Sequence, residues 1–341
     1  MKILQKLCSL NGLSGDESEV RAYILNQISP YCSGRVDPAG NILAFKKGRK
    51  QPKRKLLFEA HMDETGYVVT RIDSSGLLYL DSVGVSASVS VGKAVFVRAT
   101  AEGSRMLPGV IGAVPLHLLE KEDRAAIPKM ETLYVDIGAK DEQEARQFVV
   151  EGDSVYFDGP FGLMGNLVKG KALDDRIGCY NLIRMIQSDL EYDSYFAFCV
   201  QEEVGLRGAM AAAWHIRPDL TVLMETTTAA DIGGVKPSDT VCCVGGGVAV
   251  SFADRGTIYE PRLVENIFTL ARGRHIACQP KTMVSGGNDA AIWQKTVGGS
   301  RVVTFSAPTR YLHSPVGVAS RDDIDGMFEL AKAVNEEVDA L

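Results

Sequence analysis

Histidines and carboxylates gather at five places in the chain: His61-Met62-Asp63, Asp174-Asp175-Arg176, Glu202-Glu203, Glu225 and His313. These are metal-ligand side chains. Each alone has an ordinary structural reading, since an aspartate pair starting a helix caps it and a glutamate pair after a strand is a solvated loop. Their placement together says more. Glu202 and Glu203 follow the apolar run Phe196 to Val200, Glu225 follows Val222 to Met224, and His61 follows Leu56 to Ala60. The carboxyl ends of strands in an open α/β sheet share one crevice, so three of the clusters converge there. Asp174, Glu203 and Glu225 brought close would repel and raise one another's pKa values unless divalent cations neutralise them. A carboxylate can bridge two zinc ions about 3.5–4 Å apart, and such a pair binds a substrate carbonyl and lowers the pKa of a shared water. A carboxylate not spent on metal is then available as general base.

Other chemistries are excluded or weakened. The histidines are His61, His117, His215, His275 and His313, with no two four residues apart, so a helical H-E-x-x-H zinc site is impossible. Gly165 to Lys171 approaches a phosphate loop, but Ala172 stands where a magnesium-binding hydroxyl is needed, and no G-x-S-x-G elbow occurs. His117, His215 and His275 read as packing or surface residues, and Asp175 and Arg176 as helix-start structure. With 37 Lys and Arg against 43 Asp and Glu, the net charge of −6 offers no strong positive field for nucleic acid or anionic lipid. The uncharged stretch Thr240 to Ala253 is too short for a bilayer and is broken by Gly245, Gly246 and Gly247. Met1 to Leu10 lacks the apolar core of a signal peptide. The 7 cysteines include no C-x-x-C pair and fit reduced thiols, with Cys242 and Cys243 expected on a strand. A cytoplasmic protein is expected, with neither nucleic acid nor membrane as partner.

The elements that must position these side chains follow from periodicity. At 341 residues and roughly 150 per domain, about two domains are expected. Ser14 and Glu17 have capping-box spacing before Val20, Tyr23, Ile24 and Ile28, which predicts a helix near 16–29. Ile42 to Phe45 and Lys55 to Ala60 read as strands. From Tyr67 to Phe161 the texture changes to short alternating runs punctuated by glycines, a small β-rich domain. From Leu173 onward helical patterns alternate with short apolar runs, the signature of βα units. Predicted helices are 174–188, 206–215, 261–273 and 320–340; predicted strands are 195–200, 220–224, 241–250 and 301–305. In the last helix Ile324, Met327, Phe328, Ala331, Val334 and Val338 form one stripe behind Ser320 as cap. The β-rich middle is read as an insertion into one α/β domain.

The order His61-x-Asp63, Ala172-Leu173-Asp174-Asp175-Arg176, Gln201-Glu202-Glu203-Val204-Gly205, Glu225-Thr226-Thr227 and Arg310-Tyr311-Leu312-His313-Ser314-Pro315 resembles the tetrahedral (TET) dinuclear metalloaminopeptidases. These are also called glutamyl or deblocking aminopeptidases and often labelled endoglucanase M. The likeness runs along essentially the whole chain, including Gly-Leu-Ser-Gly at 12–15, Gly-Asn at 40–41 and Gly286-Gly287-Asn288-Asp289-Ala290. Glu225 stands where many relatives carry aspartate, and Asn288 where threonine is common. The resemblance implies a zinc-exopeptidase-like α/β sandwich, with a mixed central sheet flanked by helices. Residues 1–66 and 163–341 would be catalytic, and 67–162 an inserted PDZ-like or barrel-like domain for dimerisation. It further implies that His61, Asp174 and Glu225 hold one divalent ion and Asp174, Glu203 and His313 the other. Zinc is expected, with cobalt or manganese as substitutes. Asp63 would orient His61, and Glu202 would be the general base toward a metal-bridged hydroxide. One ion would stabilise the oxyanion and the other receive the free α-amine of a short peptide. Dimers would assemble into a tetrahedral dodecamer.

Three other readings are weighed beside this one. A deacylase or carboxypeptidase of the same fold keeps the metals and changes the substrate. A glycosidase could use Glu202 and Glu203 as its carboxyl pair, but leaves His61, His313 and Asp174 unexplained. A noncatalytic scaffold has no use for a full ligand set with Glu202 beside it.

Overall fold

A computed structural model describes residues 1–341 except Glu102, Glu122 and Ser285, and except the side chains of Leu116 and Asp123. Among the described residues an 11-stranded mixed sheet forms the larger unit. Its centre is parallel: Leu56–His61 lies between Ser194–Cys199 and Leu220–Thr228, and Leu220–Thr228 pairs in turn with Arg301–Arg310. Its flanks are antiparallel, through Ile42–Lys46 and Ser33–Val36 on one side and Gly317–Ser320, Leu167–Gly170 and Gly162–Met164 on the other. The centre is apolar on both faces because helices cover both. Every residue of Leu56–His61 is buried, as is every residue of Leu220–Thr228 except the last. The four parallel strands that carry or lead to predicted ligands therefore run toward the same edge of the sheet.

Helix Leu173–Gln187 runs through the core, with Ile177, Cys179, Leu182, Ile183 and Ile186 buried. Gly178 lets it lie against the neighbouring strand: a Cβ there would fall 2.1 Å from the Met224 carbonyl oxygen. The last helix, Arg321–Glu337, follows the predicted stripe, Phe328 alone being half-buried, and the Ser320 hydroxyl accepts from the Asp322 amide at 3.2 Å. Helices Arg207–Ile216 and Pro261–Gly273 also lie where periodicity puts them.

Six antiparallel strands close a separate barrel in the order Gly66–Ile72, Leu78–Val83, Tyr134–Asp136, Arg105–Gly112, Ala94–Ala99 and Ser154–Phe157. Alternation explains its filling. Tyr67, Val69, Leu78, Leu80, Val95, Val97, Val135, Val155 and Phe157 point inward into a core distinct from that of the sheet.

Two local expectations are corrected, and one helix was not foreseen. Cys242 and Cys243 lie outside any strand, and only Val248–Val250 of the 241–250 run is extended into the sheet. The intervening Gly245 and Gly247 adopt φ of 84° and 92°, which breaks a strand. Ser14 does not cap the first predicted helix; that helix is Ser18–Ile28, and Ser14 donates to Asp63 instead. An unanticipated helix, Lys2–Ser9, buries Leu4, Leu7 and Cys8 along one face.

Candidate metal centre

His61 ends its strand, Glu225 lies within Leu220–Thr228, Asp174 opens helix Leu173–Gln187, Glu202 and Glu203 follow Ser194–Cys199, and His313 follows Arg301–Arg310. Connections distant in sequence therefore deliver all six side chains to one cavity of about 390 Å³, which Thr226, Thr227, Lys281, Asn288 and Ser306 also line. Asp174 sits in the middle. Its Oδ1 is 3.3 Å from His61 Nε2, and its Oδ2 is 3.4 Å from His313 Nε2. Glu225 Oε2 lies 3.9 Å from the same His61 nitrogen, and Glu203 Oε2 lies 3.5 Å from His313 Nε2.

Left-handed backbone occurs at or beside several of these positions. Ala172, Gln201 and His313 all have left-handed φ, at 51°, 55° and 54°, and each is a ligand candidate or lies within two residues of one. Such conformations are costly for residues other than glycine and persist where the surroundings enforce them. The Asp174–Asp175 peptide is cis.

Electrostatics shows what the donor set lacks. Burial, reinforced by the charge of Asp175, pushes the Glu225 carboxyl well above its usual range, and burial with the charge of Asp174 pushes Glu203 to about 7. Burial also raises Glu202. Burial opposes ionisation of Asp174 too, yet the imidazoles of His313 and His61 hold its carboxyl well below the ordinary range. Asp174 draws His313 up to about 9; His61 is raised in spite of its burial by Asp174 and Asp63. Protons thus hold together side chains that would otherwise repel.

The residues fit divalent cations. Glu203 Oε1 and Glu225 Oε1 are buried without a hydrogen-bond partner. A tetrahedral zinc with bonds of about 2.0–2.2 Å sets its ligands roughly 3.3–3.6 Å apart, within a few tenths of an ångström of the donor separations observed here. His61, Asp174 and Glu203 form one group of converging donor atoms, and His61, Asp175 and Glu225 form another. Asp175, however, already accepts from the Gly178 amide at 2.9 Å and the His61 amide at 3.3 Å, which agrees with a helix-start role.

Asp63 is fully buried, with Oδ1 3.3 Å from His61 Nδ1. It does something the sequence did not announce: its carboxylate also accepts from the backbone amides of Glu202 and Glu203, at 3.0 and 3.1 Å, and from the Ser14 hydroxyl at 2.6 Å. One carboxylate therefore lies beside an imidazole and holds the Glu202-Glu203 turn through its backbone amides. The adjacency of strands Leu56–His61 and Ser194–Cys199 makes this possible, and no local signal encodes it. Asp231 pairs with Arg310 at 2.7 Å, and His117, His215 and His275 are exposed.

Comparison with known proteins gives the family. Residues 40–330 match the model of the M42 glutamyl aminopeptidase family. The chain is 30% identical over 353 residues to the lysyl aminopeptidase of Pyrococcus furiosus, covering 99% of this chain and 97% of that one. A TET aminopeptidase from a marine sediment Thaumarchaeota archaeon superposes with a TM-score of 0.94 at 32% identity, over 99% of this chain and 96% of the other. The TET1 peptidase of Pyrococcus horikoshii, described as able to assemble into a tetrahedron or a large octahedral shell, superposes with a TM-score of 0.85 at 32% identity over 98% of each chain. The chain accordingly belongs to the M42 glutamyl aminopeptidase family and is a metallopeptidase of the aminopeptidase type.

Proposed function

We propose that this aminopeptidase holds two divalent cations, one through His61, Asp174 and Glu225 and the other through Asp174, Glu203 and His313, and removes N-terminal residues from short peptides. The observation that supports this most strongly is the split of Asp174, whose two oxygens face two different histidines at 3.3 and 3.4 Å, as a bridging carboxylate requires. Zinc suits the nitrogen and oxygen donors, and cobalt and manganese are the substitutes. When bound, the cations polarise the scissile carbonyl, lower the pKa of a water and ligate the neutral α-amine of the substrate.

The remaining work falls to side chains. Glu202 lines the cavity without belonging to either ligand set, and burial raises its carboxyl, so it is suited to take a proton from the attacking water and deliver it to the leaving amine. Asp63 keeps the His61 ring turned toward Asp174 and fixes the backbone from which Glu202 and Glu203 project.

Residues 1–66 with 163–341 would form the catalytic unit, and 67–162 the inserted unit that carries dimer contacts. Subunits would assemble into a tetrahedral dodecamer, as a relative described as forming a tetrahedron suggests. The seven free cysteines support a cytoplasmic setting, and no described helix is long and apolar enough to cross a membrane.

A panel of aminoacyl chromogenic substrates, each with a free or acetylated amine, tests the reading after chelation and re-addition of zinc, cobalt or manganese. Free-amine substrates should be cleaved only with metal, and acetylated ones refused. Cleavage of acetylated substrates alone would replace the aminopeptidase reading with a deacylase.

A further inference from the structure

Three side chains outside the ligand sets above meet in the protein interior close to the metal centre. Glu59 lies on strand Leu56–His61, two residues before His61; Cys199 is the last residue of Ser194–Cys199; Asp289 stands directly before helix Ala290–Trp293. All three have zero exposure. One ligand-type atom from each, a thiol sulfur and two carboxylate oxygens, lies within 4.8 Å of the others. None of the four carboxylate oxygens of Glu59 and Asp289 receives a hydrogen bond from outside the cluster; within it, Glu59 is close enough to the Cys199 thiol and to Asp289 to share a proton with them.

That last fact separates the cluster from ordinary acidic groups. A surface carboxylate is solvated by water, and a buried one in a native protein is almost always bonded to donors or to a metal. Here both carboxylates face one another and a thiol, and no donor from outside the cluster satisfies either. The group needs positive charge, as cation or as proton. Its chemistry selects among cations: a thiol among the donors disfavours magnesium and calcium, which take oxygen, and favours zinc or cobalt. Complete enclosure leaves no position open to a substrate, the mark of a structural ion.

We propose that Glu59, Cys199 and Asp289 form an additional, structural site for a zinc-like divalent cation, separate from the pair around Asp174. Binding displaces the thiol proton and any proton on the carboxyls, since the ligands must be deprotonated. The ion fastens three segments that the centre depends on: the strand ending at His61, the strand leading to Glu202, and the loop whose Gly287 and Asn288 line the catalytic cavity.

Sulfur makes the site testable by itself, because the donors around Asp174 are all nitrogen and oxygen. The full-length chain, produced in cobalt medium, is examined for bound metal by elemental analysis and for sulfur-to-cobalt charge-transfer absorption in the near ultraviolet. The expected result is one ion beyond the pair, together with the sulfur band. Cys199→Ser should lose the band and one ion while keeping the other two. Cys179→Ser should retain the band, although Cys179 Sγ lies 3.1 Å from the His61 carbonyl oxygen. Should Cys199→Ser fail to fold, anomalous diffraction from wild-type cobalt crystals decides, a peak between Glu59, Cys199 and Asp289 being required. A folded wild type with the pair filled, no further ion and no sulfur band would overturn the proposal and leave the two carboxyls to share protons.

Discussion

Glu202 and Asp63 stand close together and contribute in different ways, which substitution can separate. Glu202→Gln keeps shape and removes the base. Turnover should fall by about 10²–10⁴-fold with bound metal unchanged, as kinetics and elemental analysis of one preparation would show. Loss of metal together with activity would instead make Glu202 a ligand. Asp63→Asn should act the other way round, weakening metal affinity by about 10–100-fold, because the ring of His61 loses its anionic partner. Competition with a chelator measures this. The candidate ligand types were legible in the sequence because few residue types bind metals and three of the clusters, at His61, Glu202-Glu203 and Glu225, follow apolar runs. The reach of Asp63 to the amides of Glu202 and Glu203 was not, since it depends on which strands become neighbours.

Among the elements, the junction between the His61 strand and the Asp174 helix is secured by buried charge. Glu64 Oε2 lies 2.7 Å from Lys171 Nζ, and Glu64 Oε1 lies 3.4 Å from Arg176 Nη2, with all three side chains almost fully enclosed. Glu64 also accepts from the Gly12 amide at 2.8 Å. Glu64→Gln would leave two buried cations without their anion, and a loss of about 3–5 kcal/mol is expected, read as a lower denaturant midpoint. A second element-level effect depends on pH. Burial raises the Asp323 carboxyl, in the first turn of the last helix, from 3.8 to about 6, even though the amides of Gly245 and Gly247 donate to it. The folded state then binds the proton more tightly than the unfolded state. This contribution to stability is complete below about pH 4 and is lost as pH rises through 6. Asp323→Asn should remove that slope, so the variant gains on the wild type between pH 4 and 7 in denaturation experiments. A constant difference across that range would show that Asp323 does not titrate there. Helix 261–273 was readable from periodicity because Leu263, Val264, Ile267 and Ala271 form one stripe. The strand expected at 241–250 was misjudged because composition favoured extension while the glycines at 245 and 247 imposed turns.

At the scale of the whole molecule, two cores that do not merge are joined by polar contacts. Arg98 of the barrel lies 2.7 Å from Asp16 and 2.9 Å from Glu19, and the Tyr156 hydroxyl donates to Asp16. The segment so held also supplies Ser14 to Asp63, so the barrel's seat and the centre share one stretch of chain. The change of texture at Tyr67 revealed the barrel as a β-rich region; its closure did not follow from alternation, because local patterns do not specify which strands pair across a gap. In the proposed function, activity depends on metal ligands that converge from five segments. Anomalous diffraction from crystals grown with zinc or cobalt measures it most directly. Two peaks should flank Asp174, one within reach of His61 and Glu225 and the other within reach of Glu203 and His313. A lone peak, or peaks remote from Asp174 in an active enzyme, would contradict the paired centre.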